Sequence, residues 1–520
     1  MTAATWDISG LPKVHPTVVH MLAEAARQSP DATALVFGPD RLTYAEYSRC
    51  VAGFAAQLGA LGARGERIAL VCGNSLDLPV AMFAVHTARA RAVPINPAYT
   101  ARELGHILAD AAPLACVYDD EAAATVEPLL AELGIANAIR VGGPKGVSLT
   151  RWRHRPECVL PHALPGPGDL ATLQYTGGTT GLPKGVNITH GQMSVNVSQR
   201  EAALPTRPDD ESILCMMPLF HVFAAAMCLH LAVYCRGKLV VMPRYKPDAV
   251  LDLVVRERIT RFPAGPTVFI GSLNHPDCDR TDFSSLRTAY SGSAPLPEDI
   301  LKEWERRTGC PILEGFGQTE AGPVLTYVRE DGAYQPGSVG PPLPATEVQI
   351  VDVETGSEVL GPGERGEIRA RGPQIMSGYR NRPQETAEAL RDGWLYTGDI
   401  GEIDARGHLY IRDRKKDMAI VGGYNVYPRE IDEVLYAHPA VKDAAAAGVP
   451  DPYYGESLRA YVVLKDGAAA TVDDLLAHCK AKLARYKVPA RITIVADLPR
   501  TTVGKVDKRV LRGMLTKEDA

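Results

Sequence analysis

Thr176-Gly-Gly-Thr-Thr-Gly-Leu-Pro-Lys-Gly185 contains four glycines, three threonines and one lysine, and it follows an apolar run that begins at Leu170. Glycine permits positive φ and lets the backbone approach a ligand closely. Bare amides and threonine hydroxyls donate hydrogen bonds and lysine adds charge, so this composition predicts a loop that holds a polyphosphate. It is not a Walker A loop, because Pro183 precedes Lys184. A flexible surface loop is the alternative, but linkers seldom combine these residue types so densely.

The sequence around this loop alternates short apolar strands with amphipathic helices. Thr43 with Glu46, and Thr100 with Glu103, form capping boxes that predict two helix starts. Strands are predicted at residues 34–37, 68–71, 92–95, 114–117, 238–242 and 286–290. This rhythm predicts an α/β fold in which helices cover parallel sheets.

The pattern changes from about residue 335, where alternating segments such as 346–351 and 366–371 predict half-exposed strands. Gly361–Gly366 is a formal G-x-G-x-x-G, but a strand pattern follows it, so it is interpreted as a turn. The charge run Arg412–Asp417 is typical of a solvated connector, and a compact α+β pattern follows it. We therefore expect an N-terminal domain over 1–415 and a C-terminal domain over 416–520.

Composition limits the classes of function. The 520 residues exceed one ordinary core, and 46% hydrophobic and 22% charged residues fit a globular enzyme. A net charge of -5, without a basic block, argues against a nucleic-acid partner. The ten cysteines form no Cys-x-x-Cys pair and are interpreted as reduced packing residues. With no apolar signal core in the first 20 residues, a cytoplasmic location is expected.

One uncharged segment, Ile213–Cys235, is long enough to span a bilayer. It contains Pro218, His221 and His230, so we expect a buried helix with its entry loop instead. No integral membrane association is predicted.

Further motifs resemble the adenylate-forming superfamily, which includes acyl-CoA synthetases, peptide-synthetase adenylation domains and beetle luciferases. In chain order, the matching segments are the phosphate loop 176–185, Met217-Pro-Leu-Phe-His221, Tyr290-Ser-Gly-Ser-Ala294, Glu314-Gly-Phe-Gly-Gln-Thr-Glu320, Tyr396-Thr-Gly-Asp399, Arg414-Lys-Lys-Asp417, Val421–Glu430 and Pro499–Lys505. The resemblance covers nearly the whole chain, and the motifs occur in the order that the family has.

The resemblance implies a large N-terminal domain of two αβ subdomains plus a small β-barrel, and a small mobile α+β C-terminal domain. It implies that ATP and a carboxylic acid form an acyl-AMP and pyrophosphate, and that coenzyme A then displaces AMP. Possible oligomeric states include a homodimer.

The resemblance also assigns nucleotide contacts. Glu320 is expected to hold Mg²⁺ through oxygen, as a hard cation prefers. Asp399 is expected to bind the ribose hydroxyls with help from Arg414, and Lys505 to stabilise the charge that shifts at the α-phosphate. Phe316, where many relatives have tyrosine, is expected to lie against adenine. The full expected set is Thr176, Gly177, Gly178, Thr179, Thr180, Lys184, Gly292, Ser293, Ala294, Glu314, Gly315, Phe316, Thr319, Glu320, Asp399, Arg414, Gly423 and Lys505. Within this set, Lys505, Glu320 and Thr176 are expected to be catalytic, together with His221.

For the acid, the resemblance implies contacts from His221, Val222, Phe223, Ala224, Ala264, Gly265, Pro266, Ser291, Gly292 and Gly315. Most of these are small or apolar, and no arginine or lysine is among them to pair with a second carboxylate. A monocarboxylic acid with a medium to long, or aryl, apolar tail is therefore expected. The resemblance makes Lys416 the hinge and places Gly423 beside the thiol of coenzyme A.

Competing interpretations remain at this stage. A stand-alone adenylation enzyme that loads a carrier protein is the principal alternative to an acyl-CoA synthetase. A luciferase-like oxidase and a non-catalytic adenylate sensor are more remote. His221 can also be read as a satisfied core histidine, and Lys416 as a solvated connector residue.

Overall fold

The computed structural model describes residues 6–176, 183–292, 294, 296–330, 335–421, 424–451, 453–501 and 506–517. The helices are α1 Val18–Gln28, α2 Tyr44–Ala60, α3 Asp77–Thr87, α4 Ala101–Ala111, α5 Ala123–Glu132, α6 His190–Ala203, α7 Val222–Ala224, α8 Leu231–Tyr234, α9 Pro247–Arg256, α10 Pro266–Leu273, α11 Glu298–Thr308, α12 Pro383–Ala389, α13 Pro428–Tyr436, α14 Val472–Lys482 and α15 Lys508–Lys517. A π-helical turn, Ala225–His230, joins α7 to α8.

The strands, in chain order, are β1 Thr33–Phe37, β2 Asp40–Thr43, β3 Arg67–Val71, β4 Arg91–Ile95, β5 Ala115–Asp119, β6 Asn137–Val141, β7 Leu170–Thr176, β8 Lys184–Thr189, β9 Ser212–Cys215, β10 Lys238–Val241, β11 Arg261–Ala264, β12 Thr288–Ser291, β13 Ile312–Gly317, β14 Val324–Tyr327, β15 Glu347–Val351, β16 Gly366–Arg371, β17 Gly378–Tyr379, β18 Leu390–Arg391, β19 Trp394–Ile403, β20 Leu409–Arg414, β21 Ala419–Val421, β22 Tyr424–Val426, β23 Val441–Asp451, β24 Gly455–Leu464 and β25 Arg491–Ile494.

Two large sheets are formed by strands between Thr33 and Tyr379. One has the order β14-β13-β12-β11-β9-β10-β1-β2, with a parallel centre and antiparallel pairs at both edges. The other has the order β17-β8-β7-β4-β3-β5-β6 and is parallel from β7 to β6. Both predicted capping boxes are present at α2 and α4. The predicted α/β class is confirmed.

The chain divides into two compact units. The first comprises residues 1–335, 339–347 and 370–395, and the second comprises 336–338, 348–369 and 396–520. In the second unit, one sheet is built mainly from β15, β16, β19 and β20, and another has the order β22-β21-β24-β23 with β25 on β24. The domain boundary at 415/416 stays a prediction.

The uncharged segment 213–235 begins as β9 rather than as a loop, because Ile213 to Cys215 pair with β10 in the interior of the eight-stranded sheet. Its remainder forms the loop, α7, the π-helical turn and α8. Within the described ranges, no helix is long and apolar enough to cross a membrane. All ten cysteines are free thiols, and nine of them are buried.

Candidate functional site

The predicted phosphate loop is carried by an antiparallel hairpin. β7 and β8 pair from Leu170 to Thr189, and Thr176 lies opposite Lys184 at the end of the ladder. These two residues therefore close the base of the loop. The loop residues Gly177, Gly178, Thr179 and Thr180 lie outside the described residues, so their contacts with phosphate remain predictions.

Tyr379 joins this hairpin to the predicted metal ligand. It lies on β17, which pairs with β8 on the side opposite β7. The Nζ atom of Lys184 is 5.1 Å from the centroid of the Tyr379 ring, and the Tyr379 hydroxyl donates a 2.8 Å hydrogen bond to Glu320 Oε1. The backbone also links these segments, since the Met376 N–H donates to the Glu320 carbonyl at 2.8 Å. Lys184 and Glu320 thus approach one tyrosine from different segments.

The sequence analysis did not identify Tyr379, because its role depends on a strand pairing that no local motif reports. Burial raises the pKa of its hydroxyl, and the charge of Glu320 and the hydrogen bond to it raise the pKa further. The phenol therefore stays protonated and acts as a donor toward the carboxylate.

The residue types here fit a magnesium ion held mainly by substrate. Mg²⁺ commonly takes one or two protein carboxylates and completes its shell with phosphate oxygens and water. Within the described part of the chain, no cluster of three or more His, Cys, Asp or Glu side chains is arranged as a metal site. A single carboxylate, Glu320, next to a predicted polyphosphate loop is consistent with that mode.

The predicted adenine segment lies at the carboxyl ends of parallel strands. β12 and β13 pair in parallel, with Ser291 opposite Glu314, so Gly292 and Ala294 follow β12 near Gly315 and Phe316, which lie in the last three residues of β13. Thr319 begins a 3₁₀ turn that includes Glu320. Ligands of open α/β sheets bind at carboxyl ends of strands, which agrees with this placement. Ser293 lies outside the described residues.

His221 caps α7, and its Nδ1 accepts a 3.3 Å hydrogen bond from the Phe223 N–H. A neutral imidazole that accepts at Nδ1 carries its proton on Nε2. The segment before it is held by Asn74, a buried residue that the sequence analysis missed. The Asn74 side-chain amide donates to the carbonyls of Met217 and Met242 at 3.0 Å, and its oxygen accepts from the Leu219 N–H at 2.8 Å.

The glycines predicted to flank the acyl group face aromatic rings. A Cβ atom on Gly292 would lie 2.8 Å from Cε2 of Phe223, and one on Gly315 would lie 2.3 Å from Cε2 of Tyr327. Gly265 is less confined, because a Cβ there would meet only the Met217 methyl at 3.9 Å. Side chains at 292 and 315 are thus excluded by the packing of this cluster.

In the second unit, Asp399 and Arg414 are register partners on β19 and β20. Arg414 Nε lies 3.4 Å from Asp399 Oδ1, and Arg414 is half exposed while the aspartate side chain is mostly buried. The Thr397 hydroxyl accepts a 3.1 Å hydrogen bond from the Asp399 N–H and fixes the turn. The Asp399 carboxylate therefore lies beside the Arg414 guanidinium, and its contact with ribose stays a prediction.

Three predicted residues, Lys416, Gly423 and Lys505, belong to the sequence of the second unit. Lys416 lies in the turn between β20 and β21 and is exposed. Gly423 lies between β21 and β22, and Lys505 precedes α15; both are outside the described residues. In the sequence, Gly423 falls between the paired residues Val421 and Tyr424, and Lys505 falls between Arg500 and Val506, which form a β-bridge.

Comparison with known proteins identifies the family of this chain. The model of the AMP-binding enzyme family matches residues 22–380, and that of the AMP-binding enzyme C-terminal domain matches residues 430–505. A long-chain-fatty-acid–CoA ligase of Bacillus subtilis is 36% identical, over 96% of this chain and 95% of that protein.

A feruloyl-CoA synthase of an Amycolatopsis species is 38% identical, over 94% of this chain and 96% of its own length. The crystal structure of ATP-bound MatB from Rhodopseudomonas palustris superimposes on this chain with a TM-score of 0.89 at 33% identity, and the match covers 95% of this chain and 98% of MatB. The chain belongs to the AMP-binding enzyme family, in the acyl-CoA synthetase branch of the adenylate-forming superfamily.

Proposed function

We propose that this protein is an AMP-forming acyl-CoA ligase. In the first step, a carboxylate oxygen bonds to the α-phosphorus of ATP and the bond to the β-phosphate bridging oxygen breaks, releasing pyrophosphate. In the second step, the sulfur of coenzyme A bonds to the acyl carbon and AMP leaves. The observation that best supports this function is the closed hairpin Thr176–Lys184 linked through Tyr379 to Glu320.

The proposed roles follow from charge and position. Bringing a carboxylate to a polyphosphate crowds anions, so catalysis depends mainly on positioning and neutralisation. Lys184 and the loop residues 176–180 would bind the β- and γ-phosphates, and Lys505 would act at the α-phosphate. Asp399 with Arg414 would hold the ribose. Magnesium, when held by Glu320, would neutralise phosphate charge.

We further propose that the acid is monocarboxylic, with a medium to long or an aryl tail. The residues at the acyl glycines are apolar or aromatic, and each buried methylene contributes about 0.8 kcal/mol to binding. The named activities of the two sequence relatives, one on long-chain fatty acids and one on a feruloyl acid, support this class. The free thiols support a reducing, cytoplasmic compartment.

AMP release measured with a panel of carboxylates, with and without coenzyme A, tests this proposal. We expect release that requires an acid, ATP and Mg²⁺, with a thioester formed only when coenzyme A is present. Thioester formation on a phosphopantetheinyl carrier protein but not on free coenzyme A would support the carrier-loading alternative. Activity confined to acetate or malonate would contradict the proposed acid class.

A further inference from the structure

Two buried tyrosine hydroxyls lie next to the acyl glycines without a hydrogen-bond partner in the described part of the chain. Tyr290 is 0% and Tyr327 is 2% exposed, and their rings pack edge to face with centroids 5.9 Å apart. Neither hydroxyl has a donor or acceptor within hydrogen-bond distance among the described residues. Burying a hydroxyl without a partner is unfavourable, so each such group in a folded protein requires an explanation.

Strand register places both rings beside the acyl site. Tyr327 on β14 is directly opposite Gly315 on β13, and its ring occupies the space where a Gly315 side chain would be. Tyr290 is on β12, one residue before its last residue, and Gly292 directly follows that strand. Phe223, which contacts the Gly292 position, belongs to the same apolar cluster as both tyrosines. The two phenols therefore belong to the packing that lies directly behind Gly292 and Gly315.

A buried cation approaches the same cluster. Arg200 on α6 is 2% exposed, and its guanidinium donates to the carbonyls of Asn196 at 3.1 Å and Ala226 at 2.5 Å. It also contacts the Met227 sulfur at 3.2 Å, and Met227 packs in the cluster with Tyr327. Among the described residues, no carboxylate lies within ion-pairing distance of it. Burial raises the pKa of Tyr327, and the charge of Arg200 is the largest influence that opposes this rise.

An arginine without a carboxylate and two phenols without partners are costly features in an apolar cluster. A purely hydrocarbon tail would leave both phenols without a hydrogen-bond partner among the described residues. An oxygen atom on the ligand could accept from a phenol and would also be favoured by the positive field of Arg200. Because the guanidinium already donates to two backbone carbonyls, the phenols are the groups available to a neutral oxygen.

We infer that the acyl site of this enzyme selects acids whose far end carries a neutral hydrogen-bonding oxygen, with Tyr327 as the residue that reads it. This inference rests on the proposed acyl-CoA ligase function and narrows its substrate class to hydroxylated or alkoxylated acids. A site that hydrogen-bonds a substrate hydroxyl rejects the analogue that lacks it far more strongly than an apolar pocket rejects an added hydroxyl. Tyr327 is thus a specificity-determining residue.

Matched pairs of acids test the inference. AMP release with coenzyme A is measured for cinnamate against its 3- and 4-hydroxy forms, and for C6 to C12 fatty acids against their ω-hydroxy forms. We expect at least one hydroxylated acid to exceed its deoxy partner in kcat/KM by about tenfold or more. Tyr327→Phe, which keeps the ring, should bring that ratio close to one, mainly by lowering kcat/KM for the hydroxylated acid.

Two further variants complete the test. Tyr290→Phe should also lower the ratio, and it serves if Tyr327→Phe does not fold. Tyr453→Phe removes a phenol that is 83% exposed in the second unit and should leave the ratio unchanged.

Three outcomes overturn the inference: deoxy acids preferred throughout, a hydroxyl preference that survives in both Tyr327→Phe and Tyr290→Phe, or a dicarboxylate preferred over every hydroxy acid. Absence of AMP release with any acid would instead contradict the proposed function.

Discussion

The Tyr379 hydroxyl donates a 2.8 Å hydrogen bond to Glu320 Oε1, and the same ring lies 5.1 Å below Lys184 Nζ. One side chain thus orients the proposed magnesium ligand and lies under the proposed phosphate cation. It does so from β17, a strand of two residues that pairs with β8. The position of the carboxylate therefore depends on a short edge strand far from it in sequence.

Tyr379→Phe is expected to weaken the use of Mg·ATP. A hydrogen bond to a charged group contributes about 1.5–3 kcal/mol, so kcat/KM for ATP should fall by about tenfold or more. The apparent Mg²⁺ requirement should rise, because the carboxylate loses its orientation. Titration of Mg²⁺ at fixed ATP measures both effects.

The control is Tyr245→Phe, which loses a hydrogen bond to the Val268 carbonyl but touches no carboxylate in the described contacts. It should leave the Mg²⁺ dependence unchanged. Equal Mg²⁺ curves for wild type and Tyr379→Phe would contradict a role for this hydrogen bond at the metal site.

Gly315→Ala should destabilise the protein, because the new Cβ would lie 2.3 Å from Cε2 of Tyr327. Overpacking of this kind typically costs about 1–3 kcal/mol in the free energy of unfolding. Gly59→Ala is the matched control, since it lies in α2 and, apart from its chain neighbours and its own helix backbone, no atom is within 4 Å of where its new Cβ would lie. It should raise stability slightly, by up to about 1 kcal/mol. Denaturant unfolding measures the stability of both variants. A Gly315→Ala protein as stable as wild type would show that the Tyr327 ring can move aside without a cost in stability.

We expect acid to destabilise the first unit, because three of its histidines are buried. Burial lowers the pKa values of His190 and His230 to about 3, and it lowers the pKa of His86, whose ring is 5.1 Å from that of His190. The unfolded chain takes up these protons near pH 6.5, whereas the folded chain does not. The neutral histidines therefore make their full contribution to the free energy of unfolding above pH 6.5. Below that pH the free energy of unfolding falls by up to about 1.4 kcal/mol per pH unit for each histidine.

Melting curves from pH 8 to pH 5 measure this slope. His86→Leu should reduce the slope of the free energy of unfolding against pH by the amount that corresponds to about one bound proton, whatever its effect on absolute stability. His154→Gln, at a side chain that is 79% exposed, should leave the slope as it is. A slope that is the same in wild type and His86→Leu would exclude His86 as a contributor.

The two half-reactions are expected to separate by variant. Lys505→Ala should reduce ATP–pyrophosphate exchange by about two orders of magnitude or more, as expected for loss of a cation at a phosphoryl transition state. It should largely spare thioester formation from presynthesised acyl-AMP. Gly423→Leu should do the reverse, because a side chain there would obstruct the thiol.

Lys416→Pro should chiefly damage the second step if the turn after β20 is a hinge. Lys415→Ala, one residue earlier, loses a 2.8 Å ion pair with Glu367 and is the comparison for local damage. Loss of both half-reactions in equal proportion in Lys505→Ala and Gly423→Leu would show that these residues do not serve separate steps.

The sequence predicted elements where the signal is local. The capping boxes at Thr43 and Thr100 have their patterns within a few residues, and the structure has both as expected. Tyr379 and Asn74 were missed because their partners lie 59 residues away at Glu320 and more than 140 away at Met217. Arg200 was overlooked because an arginine on a helix is normally solvated, whereas here it is buried and donates to the Ala226 carbonyl in the π-helical turn.

The pairing of β8 with β7 on one side and β17 on the other has a consequence for engineering. A strand held along both edges cannot slide, and a one-residue slip would turn Lys184 to the opposite face of the sheet. The seven residues between Thr176 and Lys184 can therefore be replaced as one segment, because the strand residues on either side keep their positions. Loop swaps from other family members should change how phosphate is held without displacing the lysine or the tyrosine beneath it.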